Sequence, residues 1–102
     1  MIKARDNFGF QICARCGKIG EKMTKDHFIP KSCKMNVNGD GNLVEICETC
    51  NKEKGCMIVK PEWYQFLSKE QQNKLLRYMR YARSYILTHT EDEEILEFVK
   101  QL

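Results

Sequence analysis

A chain of 102 residues and 12.0 kDa has room for one domain, 1–102, with a modest core that benefits from a staple. Its 42% hydrophobic and 30% charged residues and mean hydropathy of −0.56 exclude disordered, collagen-like and membrane-spanning classes, and no apolar run approaches the roughly 20 residues of a span. The formal net charge is +3, and the excess sits in residues 1–60, with 11 Lys and Arg against 7 Asp and Glu, where 61–102 holds 6 against 7. An anion-binding face is therefore expected in the first 60 residues, although solubility explains so small a bias equally well.

The opening residues Met1 to Asp6 have no apolar stretch of the kind a secretory leader carries, so a reducing, cytoplasmic setting is expected. Residues 10–19 read as a strand running into a turn at Gly17, and 23–30 as a short strand stopped at Pro30. Residues 31–42, crowded with Asn and Gly, read as loop. Leu43 to Ile46 is a short extended run, and 48–54 a short helix that Gly55 can end. Pro61 can open a helical turn over 62–67. Ser68 to Gln71 has capping-box form and predicts one long helix reaching about His89. Leu75, Met79, Ala82 and Ile86 fall on one arc and predict its core face. A second capping box, Thr90 to Glu93, predicts a further helix with Ile95, Phe98, Val99 and Leu102 at helical spacing. The expected end of the chain, 57–102, is thus a helical extension folded as a hairpin around His89.

Six cysteines in so short a chain need a reason. Four fall into two pairs, Cys13-Ala-Arg-Cys16 and Cys47-Glu-Thr-Cys50. Two intervening residues let both sulfurs of a pair turn toward one ion, and two pairs complete a tetrahedral structural zinc site. Disulfide or redox pairing is the alternative, and the missing leader weighs against it. Cys33 and Cys56 stand alone and read as small buried apolar side chains.

The candidate chemistry lies between the pairs and just after them. Asp26 and His27 are an adjacent carboxylate and imidazole near a strand end, facing opposite ways. Asn42 follows 15 residues after His27, and Asn51 directly follows Cys50. Lys54 comes one helical turn after Asn51. A zinc joining the two cysteine pairs would fix the helix carrying Asn51 and Lys54 against the strand carrying His27. Asp26 and Asn51 could then share one hard cation, magnesium or manganese, while His27 takes a proton from water. Each residue also has a plain reading: Asn42 as a turn residue, Asn51 as a helix cap, Lys54 as a solvated lysine, His89 as turn surface. Tyr78, Tyr81 and Tyr85 are expected to flank the core rather than stack on bases. Arg77, Arg80 and Arg83 either solvate their helix or follow a phosphate backbone, with solvation favoured.

The ordered string Cys13-x-x-Cys16, Lys25-Asp26-His27-Phe28-Ile29-Pro30, Gly39-Asp40-Gly41-Asn42-Leu43-Val44 and Cys47-x-x-Cys50-Asn51-x-x-Lys54-Gly55 resembles the HNH endonucleases, in their zinc-stapled branch with Asn in the third signature place. The resemblance covers 10–56, about half the chain. It implies an α+β fold: a small zinc-stapled ββα-metal nuclease core over 10–56, followed by the helical hairpin. It also implies that Asp26 and Asn51 ligate the catalytic cation, His27 is the general base, and Asn42 holds the loop that aims the ring. The four cysteines would hold zinc, and Lys54 would contact phosphate. Many members carry His in the third place, and some have a further His a turn later, where this chain has Gly55. Fewer nitrogen ligands favour magnesium or manganese over zinc in the catalytic site. The implied partner is DNA, cut by hydrolysis of a phosphodiester, with a homodimer needed for concerted cutting of both strands. Phages and bacteria are the implied setting. The alternatives are a catalytically inactive zinc-stapled module that binds nucleic acid, and a protein-interaction domain using the helical hairpin.

Overall fold

The computed structural model describes residues 1–20, 22–30 and 40–102. Near the N-terminus, β1 (Ala4–Arg5) pairs antiparallel with β2 (Gln11–Ile12). Asp6 makes the turn between them, its Oδ1 accepting the backbone N–H groups of Phe8 and Phe10 at 2.9 Å each. The strand expected over the start of 10–19 is only two residues long, because Cys13 already belongs to the knuckle: its N–H bonds the carbonyl of Lys18 at 3.0 Å.

The longer pair is β3 (Met23–His27) with β4 (Leu43–Cys47), also antiparallel, with Asp26 opposite Val44 and His27 opposite Leu43. Strand alternation sorts the side chains. Asp26, Val44 and Ile46 are buried, whereas Lys25 is exposed and His27 half-buried. Ile2 bridges to Val44 in parallel, with Ile2 N–H on the Leu43 carbonyl at 2.8 Å. The turn Asp40–Asn42 leads directly into β4. Most of the loop expected over 31–42, with Cys33, lies outside the described residues.

Helix α1 (Glu48–Lys54) leaves β4 with no intervening loop and packs on both β3 and β4. Gly55 ends it with φ of 54°, a conformation that disfavours any Cβ, and its N–H bonds the Asn51 carbonyl at 2.9 Å. The chain then buries Ile58 and Val59, makes a 3-10 turn at Pro61–Trp63, and buries Tyr64 and Leu67.

Ser68 caps α2 (Lys69–Tyr81) through the expected box: Gln71 N–H donates to Ser68 Oγ at 3.2 Å, and Ser68 N–H to Gln71 Oε1 at 3.0 Å. The helix expected to run unbroken to His89 bends at Ala82, where ψ is 5°, and continues as α3 (Arg83–His89). No proline or glycine marks the bend; its cause is tertiary. Helix α2 packs on the turns at 40–42 and 61–63, whereas α3 packs on α4 (Glu93–Lys100). Leu75, Met79, Ala82 and Ile86 still form one fully buried row. Each of the larger three contributes about 1.5–3 kcal/mol of hydrophobic stabilisation. Helix α4 starts later than its expected cap. Asp92 Oδ1 accepts from Glu94 and Ile95 N–H at 3.0 and 3.3 Å, while Thr90 Oγ1 serves only Asp92 N–H. A carboxylate suits the positive end of a helix better than a hydroxyl.

The tyrosines depart from expectation. Tyr78 is half-buried, but Tyr81 is 73% and Tyr85 42% exposed, so these two do not flank the core. The whole is a small α+β fold of two antiparallel strand pairs and helices. No helix among the described residues is long and apolar enough to cross a membrane.

Candidate active site and cysteine cluster

Cys13 and Cys16 lie on the knuckle after β2, Cys47 ends β4, and Cys50 sits in α1. Their four sulfurs all lie within 4.8 Å of one another, and Cys16 Sγ is 3.8 Å from Cys47 Sγ. Zinc–sulfur bonds of about 2.3 Å make a tetrahedron with edges of about 3.8 Å. Three backbone N–H groups point at Cys13 Sγ: Cys47 at 3.2 Å, and Arg15 and Cys16 at 3.4 Å. Burial pushes the Cys13 thiol up, but these donors outweigh it and bring it down to about 7. Burial raises Cys16 and Cys50. None of the four is in a disulfide, and neither is Cys56. The cluster could bind one zinc. Cys56 is exposed, not buried as its lone position implied, because the chain turns outward after Gly55 before Ile58 re-enters the core.

A second arrangement is built on β3 and α1. Asp26, His27 and Asn51 line one cavity of about 240 Å³, together with Lys25, Pro30, Gly55 and Cys56. Asp26 is buried. Tyr64 donates its hydroxyl to Asp26 Oδ2 at 2.6 Å, and Lys54 Nζ lies 3.3 Å from Oδ1. Burial pushes the Asp26 carboxyl above its ordinary range, opposed by the Lys54 charge and the Tyr64 hydroxyl. Tyr64 is raised well above its own range, by burial and then by the Asp26 charge, so it stays a donor. Asn51 Nδ2 donates to Thr24 Oγ1 at 2.7 Å, and Thr24 in turn donates to the Ile46 carbonyl at 3.1 Å. That relay fixes which end of the Asn51 amide faces β3.

Asn42 is fully buried and grips one residue at both ends. Its Oδ1 accepts Ile29 N–H at 2.7 Å and its Nδ2 donates to the Ile29 carbonyl at 3.0 Å. Its own carbonyl accepts Phe28 N–H at 2.8 Å. The backbone immediately after His27 is therefore clamped to the turn before β4. Residues 13–56 match the family of HNH endonucleases. This segment is similar to the HNH endonuclease domains. No curated protein and no solved structure matches the chain. The match points to nuclease or nucleic-acid-binding function, since that family acts on nucleic acids.

Within the matched segment, one expected contact does not fit its placement. The Lys54 ammonium is fully buried, bonded to the His27 carbonyl at 3.0 Å and paired with Asp26, so it does not offer its charge to a phosphate in solvent. Its helical position one turn after Asn51 turns it toward β3. Asn51 is not a helix cap; it lies inside α1, and the N-cap position is Cys47. Two further residues enter the site without a sequence signal. Thr24 is visible only in retrospect, two residues before Asp26 on the same strand face. Tyr64 reaches the site from outside the matched segment, and no spacing rule connects it to Asp26. His89 ends α3, exposed as expected, with Nδ1 at 2.8 Å from the Tyr85 carbonyl.

Proposed function

We propose that the protein is a metal-dependent endonuclease that hydrolyses DNA phosphodiester bonds, with His27 as general base. The observation that carries this reading is the shared cavity: a carboxylate, an imidazole and a carboxamide from two elements open onto one space of about 240 Å³. Asp26 and Asn51 supply oxygen donors, the chemistry that fits magnesium or manganese. Such a cation, when bound, polarises the scissile phosphate and neutralises charge on the leaving 3′ oxygen.

The chain's own residues do the rest. Asn42 fixes the backbone after His27 and so aims the ring into the cavity. His27 takes a proton from the attacking water. Lys54 and Tyr64 hold the Asp26 carboxylate at a set angle and offset the burial that would otherwise protonate it. Thr24 orients the Asn51 amide. The four cysteines hold one structural zinc that joins the knuckle to α1 and so keeps Asn51 opposite β3. Cysteines kept out of disulfides and committed to a metal fit a reducing compartment such as the cytoplasm of a bacterial cell or phage-infected host. One such site nicks one strand; a homodimer would cut both.

Supercoiled plasmid incubated with the zinc-loaded protein tests this. Nicking is expected with magnesium or manganese and not without either. Asn51→Ala should nick slowly and recover partly at raised cation concentration. A protein that binds duplex DNA but never nicks under any divalent cation would instead be the catalytically inactive binding module.

A further inference from the structure

The charge split at residue 60 hides a stronger asymmetry further along. Residues 71–90 contain four cations, Lys74, Arg77, Arg80 and Arg83, and no carboxylate. The acidic residues of the C-terminal region lie outside this stretch, at Glu62, Glu70 and from Glu91 onward. All four cations are exposed, and among the described residues none is in an ion pair. Elsewhere Lys3, Lys22, Lys52, Lys54 and Lys60 are each matched to a carboxylate. Helical spacing puts Lys74, Arg77, Tyr81 and Tyr85 along one side of α2 and α3, away from the buried row of Leu75, Met79, Ala82 and Ile86. Unpaired cations beside exposed tyrosines make a surface suited to a polyanion: the cations for charge, the phenol hydroxyls as donors to phosphate oxygens.

At its start Lys74 lines a cleft with Lys3, Arg5 and Glu70, and beside its middle Tyr78 reaches the turn before β4. Tyr78 lies 6.1 Å from Tyr81, ring to ring, and its Cδ2 is 3.8 Å from where a Cβ on Gly41 would sit, next to the Asn42 clamp. At the far end, His89 lines a cleft of about 340 Å³ with Cys56, and Cys56 also lines the His27 cavity. We infer that this stripe is a nucleic-acid interface, on which Lys74, Arg77, Tyr81 and Tyr85 hold the backbone of duplex DNA. The inference deepens the endonuclease reading and rests on it for the choice of DNA. Lys74 to Tyr85 spans roughly 16 Å along a helix axis. A duplex of that length carries on the order of ten phosphate charges, so several are within reach.

The test is fluorescence anisotropy of a labelled duplex against the full zinc-loaded chain, without magnesium or manganese, over a range of salt. Single variants Lys74→Gln, Arg77→Gln and Tyr81→Ala are compared with Lys100→Gln on α4, which changes net charge equally. Zinc content and helicity are measured on each; the substituted side chains are exposed, so both should match the parent. Arg77→Gln should weaken binding about fivefold at ~0.15 M salt and flatten the log–log salt slope by about 0.9, the signature of one lost phosphate contact. Tyr81→Ala should weaken binding with little change in slope, and Lys100→Gln should do neither. Unchanged affinity and slope in Lys74→Gln and Arg77→Gln overturn the inference, even if the parent nicks plasmid. A parent that binds no duplex overturns it too and points the stripe at an acidic protein. Binding lost in these variants, from a parent that never nicks, would leave the stripe standing and remove the nuclease.

Discussion

Among the described residues Asp26 carries the most constrained chemistry, a carboxylate buried with an ammonium on one oxygen and a phenol on the other. Removing one member of a buried pair leaves a charge without its partner, so Lys54→Met should destabilise the fold by about 3–5 kcal/mol in chemical denaturation. Removing both charges is different: Asp26→Leu with Lys54→Met should restore most of that stability and still not nick DNA. Tyr64→Phe removes one hydrogen bond to a charged acceptor, worth about 1.5–3 kcal/mol. It also takes away a group that holds the carboxyl down, so the proton competes better with the cation. Its nicking should then need more magnesium or manganese than the parent, a shift that a loss of packing alone would not produce. The cysteine pairs, Asp26, His27, Asn42 and Asn51 were legible as residues because their order along the chain is itself a pattern. Tyr64 was not, because it lies 38 residues from Asp26 and meets it only through the packing of the helical extension.

Among the elements, those whose ends are set by local chemistry were the readable ones. Gly55 ends α1 and Ser68 with Gln71 starts α2, as their residue types dictate. The bend at Ala82 and the start of α4 at Asp92 were not readable, since each is decided by what the helix packs against or by a choice between two adjacent caps. The knuckle adds a further test of local chemistry. Gly17 has φ of 78°, and a Cβ there would lie 2.6 Å from the tip of the Phe66 ring. Gly17→Ala should therefore lower stability by about 1–2 kcal/mol from the left-handed backbone alone. Adding Phe66→Ala should relieve the clash but not that backbone term. A Gly17→Ala variant as stable as the parent would mean that the knuckle is not held in this conformation.

Across the whole molecule, two separate devices hold the HNH-like segment together. The four-cysteine cluster ties the knuckle to β4 and α1, while the helical extension closes over the other side, with Tyr64 on Asp26 and Gln71 Nε2 on the Lys3 carbonyl at 2.7 Å. In so small a chain the binding free energy of a zinc held there would be folding free energy, on the order of 10 kcal/mol or more. Cys47→Ser, or a strong chelator, should therefore unfold much of the chain, with one zinc per chain in the parent by elemental analysis. Intact disulfides and no zinc would contradict it. Whether His27 performs the chemistry, with the clamp and the cluster only positioning it, is decided by plasmid nicking with His27→Ala beside the parent. Zinc content and duplex affinity are measured on the same samples. His27→Ala should nick about 10²- to 10⁴-fold more slowly with zinc and affinity unchanged; nicking at the parental rate would mean that His27 is not the general base.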